Sequence, residues 1–129
     1  MTVTGTFELT MSAEPPYDTA DGVTLGRVRF DKRFSGPLEA TSVVHMLSAR
    51  TTVANSAAYS AIERVTGSLS GKTGSFVLQH TGVMDRGASS LVITIVPDSG
   101  TGELTGLRGQ MTVRNEQKQH FYDLDLELP

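Results

Sequence analysis

Apolar and polar residues alternate with a period of two along most of this chain, the mark of strands that bury one face and leave the other in water. In residues 6–11, Phe7, Leu9 and Met11 share a face. Further on, Val28, Phe30 and Phe34 lie opposite Arg27, Arg29, Asp31 and Arg33. Extended runs follow at 38–47, 57–65, 76–80, 91–96 and 104–113. Residues 120–128 close the series, with His120, Tyr122, Leu124, Leu126 and Leu128 opposite Asp123, Asp125 and Glu127. The pattern predicts about eight strands and leaves little room for helices.

The stretches between these runs, "AEPPYDTADG", "RFSGPL", "GSLSGKTG", "PDSGTGEL" and "RNEQKQ", carry the residues that turns require. Two others, "SARTTVANSA" and "TGVMDRGASS", read as longer links across an end of the sheet. The letters Gly71-Lys72-Thr73 raise the question of a phosphate-binding loop. Such a loop needs G-x-x-x-x-G-K-[ST] between a strand and a helix. Here Thr66 stands where the first glycine belongs, and the following "GSFVLQH" reads as a strand. Without a helix N-terminus there is no row of free N–H groups for a phosphate, so this is the turn of a hairpin and no nucleotide is expected. A G-x-L-x-[AG] echo beginning at Gly36, Gly67 and Gly102 reads as glycine kinks at hairpin corners, not as a stacked repeat.

Antiparallel strands with one apolar face either pack as a sandwich or close into a barrel. Closure removes exposed edges, and eight strands leave an interior that is filled by side chains or holds one small ligand. The fold is therefore expected to be all-β in a single domain over residues 1–129, with a closed antiparallel barrel favoured over a sandwich.

Composition narrows the function classes. A chain of 129 residues fits one domain with a real core. The formal net charge of −3 lacks the basic footprint of a nucleic-acid binder. With no cysteine there is no disulfide framework, thiolate metal site or thiol nucleophile. The three histidines are far apart and have no histidine or carboxylate two residues away, so neither a metal nor another cofactor is expected. "MTVTGTFELT" lacks the basic and apolar regions of a signal peptide, and no run approaches the about 18 apolar residues of a membrane helix. A soluble cytoplasmic protein without a membrane partner is the expectation.

The phrases "EPPYD", "FSGPLEATS", "SAAYSAIERVTGSLSGKTGSFVLQHTGVM", "IVPDSGTGELTGLRG" and "HFYDLDLELP" together cover nearly the whole chain. They resemble a bacterial family of unknown function whose members form an allene-oxide-cyclase-like antiparallel barrel. The resemblance implies that fold, and implies almost nothing about activity. Related barrels include plant cyclases and dirigent-type proteins that steer cyclisation or coupling of small hydrophobic molecules, an analogy at the level of fold alone. His45 stands where the family pattern more often has another residue, so it is not taken as catalytic. The analogy also implies a homo-oligomer, a dimer or larger, a state that symmetric association commonly produces.

Polar groups on an apolar strand face are the informative anomalies. Lys32 falls in phase with Phe30 and Phe34, and Ser42 with Leu38, Ala40, Val44 and Met46. Tyr59 and Glu63 share a face with Ala57, Ala61 and Val65, and His80 follows Phe76 and Leu78. These residues, with Tyr122, define a polar island in an oily lumen. Glu63, Lys32, His80 and Tyr59 are the candidate catalytic residues, and Ser42, Tyr122, Phe30 and Leu78 the candidate ligand-binding ones.

Each has a purely structural counterpart. Lys32 and Glu63 can be a silent buried ion pair, and Lys32 can snorkel at a rim. The tyrosines can simply pack, His80 can close a strand end, and His120 reads as part of a wet turn. Three functions fit these residues. One is a cofactor-free isomerase or cyclase acting on an apolar substrate by acid–base chemistry, with Glu63 as general acid or base. Another is a non-catalytic protein that sequesters a small hydrophobic molecule. The third is a fully packed barrel that works through its outer face. "PDSGTG" lacks the strand–helix context of a hydrolase nucleophile elbow.

Overall fold

Tight turns tie neighbouring strands together. In the computed structural model, which describes residues 1–129, both central residues of four turns take positive φ: Asp21-Gly22, Ser70-Gly71, Arg86-Gly87 and Gln117-Lys118. This is the mark of type I′ turns, whose twist matches that of the strands they join. The "SGKTG" stretch is one of them, and a strand follows it. "TGVMDRGASS" is also a hairpin and not a long link. Its strands run up to the turn because Arg86 and Gly87 reverse the chain by themselves.

The strands are β1 (Thr2–Ala13), β2 (Asp18–Ala20), β3 (Val23–Ser35), β4 (Leu38–Arg50), β5 (Ala57–Leu69), β6 (Lys72–Asp85), β7 (Ala88–Ile95), β8 (Arg108–Glu116) and β9 (Gln119–Glu127). Each of β3 to β9 pairs antiparallel with the next, and β1 pairs with both β9 and β3. The sheet therefore closes on itself as an eight-stranded barrel. β2, within a stretch that reads as a loop, lengthens the edge of β3 beyond the end of β1.

One interruption departs from the sequence expectation. The run 104–113 is not one strand: Gly102–Leu104 forms a 3-10 turn, and β8 begins only at Arg108. Leu104 and Leu107 are both buried, and their spacing of three fits a helical turn better than a strand. The segment preceding them lies along the first half of β6. Thr101 N–H donates to Ser75 O, Ser75 N–H to Thr101 Oγ1, and Val77 N–H to Ser99 Oγ. It thus occupies the edge that β7 leaves uncovered, then drops its two leucines into the end of the barrel. Gly74 and Gly100 permit this approach, since a Cβ on either would strike a backbone carbonyl, of Thr101 and Leu104 respectively.

The inward faces form one core. Phe34, Leu38, Leu69, Phe76, Leu104, Leu107, Tyr122 and Leu124 are among its fully buried members. Outward positions on β1, β3 and β5 carry Glu8, Arg29, Asp31, Arg33 and Arg64. This is apolar inside and polar outside, the reverse of a barrel wall that faces lipid. No helix is long and apolar enough to cross a membrane.

Candidate functional site

The two ends of the barrel differ. The end that carries the β3–β4 and β5–β6 turns is stoppered by Leu104 and Leu107. Toward the other end the lumen widens into a pocket of about 330 Å³. Phe7, Leu9, Phe30, Val44, Met46, Tyr59, Ala61, Leu91, Ile93 and Val113 give it apolar walls, and the remaining lining residues are Lys32, His80 and His120. The volume lies at the lower end of the range for small-molecule sites, and the mix of apolar wall and few polar groups is typical of them.

Glu63 lies immediately behind this lining. The register sets Val44 opposite Glu63 on β4 and Leu78 opposite it on β6, so the carboxylate enters the lumen at mid-strand. Its side chain is 0 % exposed. Lys32 Nζ is 3.3 Å from Oε1 and His80 Nε2 is 2.7 Å from the same oxygen, while Ser42 Oγ donates to Oε2 at 2.6 Å. Burial pushes the Glu63 carboxyl up. The His80 hydrogen bond, the Lys32 charge and the Ser42 hydroxyl together outweigh this and hold it below its ordinary value.

An ionised carboxylate only accepts hydrogen bonds, so His80 carries its proton on Nε2 and presents Nδ1 unprotonated when neutral. With Nε2 taken by Glu63, Nδ1 is the ring nitrogen left without a protein partner, on a side chain that lines the pocket.

The surroundings hold these groups in place. The Lys32 ammonium sits 4.9 Å from the Phe7 ring centre and 5.8 Å from that of Phe34, within range of a cation–π attraction. His120 stacks on Phe7 with ring centres 5.1 Å apart. Tyr59 lies across its β6 partner Gly82, where any Cβ would collide with the ring. Burial raises the Tyr59 hydroxyl above its usual range, so it stays a neutral donor.

Lys32, Ser42, Glu63 and His80, expected to meet, do so. Tyr59 and Phe30 reach the same pocket without touching Glu63 in a hydrogen bond. Ser42 serves Glu63 from behind. Leu78 packs beside Glu63, fully buried, and does not line the pocket.

Tyr122 is displaced from the expected site altogether. It lies over Gly5 near the stoppered end, accepts the Leu38 N–H at 3.0 Å and is 3.3 and 3.4 Å from the Ser35 and Leu38 carbonyls. Burial raises its hydroxyl, partly offset by the Leu38 N–H. Tyr122→Phe is expected to cost about 1–3 kcal/mol, because it leaves a buried N–H without an acceptor. Urea denaturation checks this, and ligand binding in the pocket should not change.

His120 falls on the inward face, as its alternation predicts, but its sequence neighbours read as a wet turn and it is not among the expected site residues; the structure makes it a lining residue. The tight Gln117-Lys118 turn places it one residue inside β9, on the inward face shared with Tyr122, so its alternation and not its neighbouring turn was the relevant signal. His45 lies on the outer wall, in a wide polar groove of about 850 Å³ with Arg29, Arg33 and Arg64. That groove is larger than the lumenal pocket, but its polar lining is surface charge, whereas the lumenal pocket holds the buried carboxylate network.

Comparison with known proteins adds the family. A profile described as "Protein of unknown function (DUF3224)" matches residues 3–126. The chain belongs to the DUF3224 family. It is 48 % identical to a DUF3224 protein of unknown function from Shewanella oneidensis MR-1, whose crystal structure superposes with a TM-score of 0.94. The match covers 100 % of this chain and 98 % of that one. Among curated proteins nothing matches. DUF3224 membership thus carries the barrel to this chain and leaves the chemistry to the site.

Proposed function

We propose that this protein binds a small apolar molecule in the barrel lumen and isomerises or cyclises it by cofactor-free acid–base chemistry. One observation carries the reading: two groups that face the pocket, His80 and Lys32, are anchored on one oxygen of a carboxylate that has no access to it. A carboxylate behind a histidine fixes its tautomer and stabilises the imidazolium formed when the ring takes a proton. The roles expected from sequence therefore shift. His80 is the general base and returns the proton as the acid, Glu63 is the positioning residue behind it, and Lys32 supplies positive charge where negative charge develops. Tyr59 offers a second donor at the wall.

The pocket itself supports binding over a fully packed barrel. Turnover separates the enzyme from a sequestering protein with the same cavity. The neutral fluorophore N-phenyl-1-naphthylamine should bind saturably at one site, and Leu91→Trp at the pocket wall should weaken it at least tenfold without lowering the melting temperature. His80→Gln should bind it as the parent does, yet lose about 10²–10⁴-fold in turnover of the natural substrate. Absence of saturable binding would refute the reading.

A further inference from the structure

The inventory of donors and acceptors in the pocket narrows the substrate, given the lumenal reading above. Lys32 carries three N–H donors, and a single protein acceptor, Glu63 Oε1, takes one of them at 3.3 Å. The side chain is 9 % exposed and otherwise rests against the rings of Phe7 and Phe34, so its spare donors have no oxygen from the protein to meet. His80 Nδ1 is an acceptor open to the same pocket. No carboxylate and no serine lines the pocket, and Ser42 behind it is buried and spends its hydroxyl on Glu63. Beside Tyr59 and His120, the pocket therefore offers a base and a cationic donor side by side, both tethered to one oxygen, and no free serine or carboxylate.

We infer that the substrate is an apolar carbonyl compound with a removable proton on the carbon beside the carbonyl, and that the reaction begins by enolisation. The carbonyl oxygen meets the spare N–H groups of Lys32, and the adjacent C–H faces His80 Nδ1. The C–H bond breaks and its proton moves to Nδ1. The electron pair left on carbon forms a C=C bond, and the carbonyl π pair moves onto oxygen. The enolate oxygen is then held by Lys32 and the imidazolium by Glu63. Return of the proton from Nδ1 to the same carbon regenerates the substrate. Its return to a more distant carbon of a conjugated system completes an isomerisation. No oxidant or reductant enters.

Charge balance favours a neutral substrate over an acid. Before reaction the Lys32–Glu63 pair is neutral as a unit. Proton transfer creates one positive and one negative charge, and each appears beside an existing opposite charge. In a pocket of low dielectric this placement is where fixed charges act most strongly on a transition state.

Deuterium uptake tests the inference. With 2-tetralone in buffered D₂O, followed by proton NMR, the protein should speed exchange beside the carbonyl at least 100-fold over buffer containing the same concentration of imidazole. His80→Gln should lose at least 100-fold of that rate, and Leu91→Trp should reduce it by blocking access. A second measurement uses 4-nitrophenol as an enolate mimic: the protein should bind it as the phenolate, read from its visible band. Lys32→Met, or Lys32→Met/Glu63→Gln if the single variant does not fold, should abolish that preference. Saturable binding of 2-tetralone with exchange at the imidazole rate would overturn enolisation and leave the lumenal binding site standing. Failure of 2-tetralone, 4-nitrophenol and the naphthylamine fluorophore alike to bind would overturn both.

Discussion

Glu63→Ala is expected to destabilise the barrel by about 3–5 kcal/mol, because removing one member of a buried ion pair leaves its partner uncompensated. Lys32, with its side chain 9 % exposed, would be left against two phenyl rings without its anionic partner. His80 and Ser42 would lose their acceptor at the same time. The pocket beside Lys32 lets water reach the ammonium, which favours the lower end of the range. Glu63→Gln should cost less, since an amide oxygen still accepts and the side-chain volume is kept. Guanidinium denaturation of the two variants beside the parent checks the order.

The same carboxylate sets an acid limb. Its native value is held below the ordinary 4.5 by His80, Lys32 and Ser42 against the opposing pull of burial. A depressed carboxyl binds fewer protons in the folded than in the unfolded chain, so stability rises with pH through this range. The contribution is complete above pH about 4.5 and is lost as pH falls through the native value. Glu63→Gln should lack this part of the acid limb. A variant whose stability fell with acid as steeply as the parent's would show that Glu63 is not held in its ionised form.

Phe34→Ala is the second large effect, again about 3–5 kcal/mol, the usual range for deleting a buried phenyl ring. Phe34 is fully buried near the stoppered end as part of the core. Its ring centre is 5.6 Å from that of Phe7 and 5.6 Å from that of Tyr122, the latter edge-to-face. The Lys32 ammonium lies 5.8 Å from the Phe34 ring centre. Around it the β1–β3 and β3–β4 ladders hold the backbone, so the wall cannot collapse far into the space and a cavity remains. The denaturation midpoint should fall with an unchanged slope, the sign of lost stability without a change in exposed surface. Met11→Ala, in the same ladder but 62 % exposed, should stay within about 0.5 kcal/mol of the parent.

Much of the site was legible because strand alternation reports which face a side chain occupies. Lys32, Ser42, Glu63 and His80 each break the apolar phase of a different strand, and a charge withdrawn from water needs a partner. That argument requires only the sequence and a closed sheet. It fails for Tyr122 and Leu78, which face inward as expected but lie where no ligand reaches. Alternation says in or out and is silent about depth along the barrel axis, which depends on the stagger of strands around the barrel. His120 falls outside the expected site for another reason: alternation gives its face correctly, but its place beside a turn in sequence suggests a wet position, whereas it lines the pocket. Leu104 and Leu107 were read as strand because a short apolar run fits several periods. Only the gap left by β7 on the edge of β6 makes a 3-10 stopper the better use for them.

The sequence by itself determined the all-β class, the hairpin at Gly71, the inward faces of the strands and the identity of the buried polar residues, because all of these follow from a two-residue period and from turn chemistry that acts over a few neighbours. The tertiary structure alone decided that one end is closed and the other hollow, that Glu63 is hidden while His80 and Lys32 face the pocket, and that one carboxylate oxygen carries both. Those are distances between residues 17 and 31 positions apart, and they are fixed by cross-strand register around a closed sheet, a property that no single strand contains.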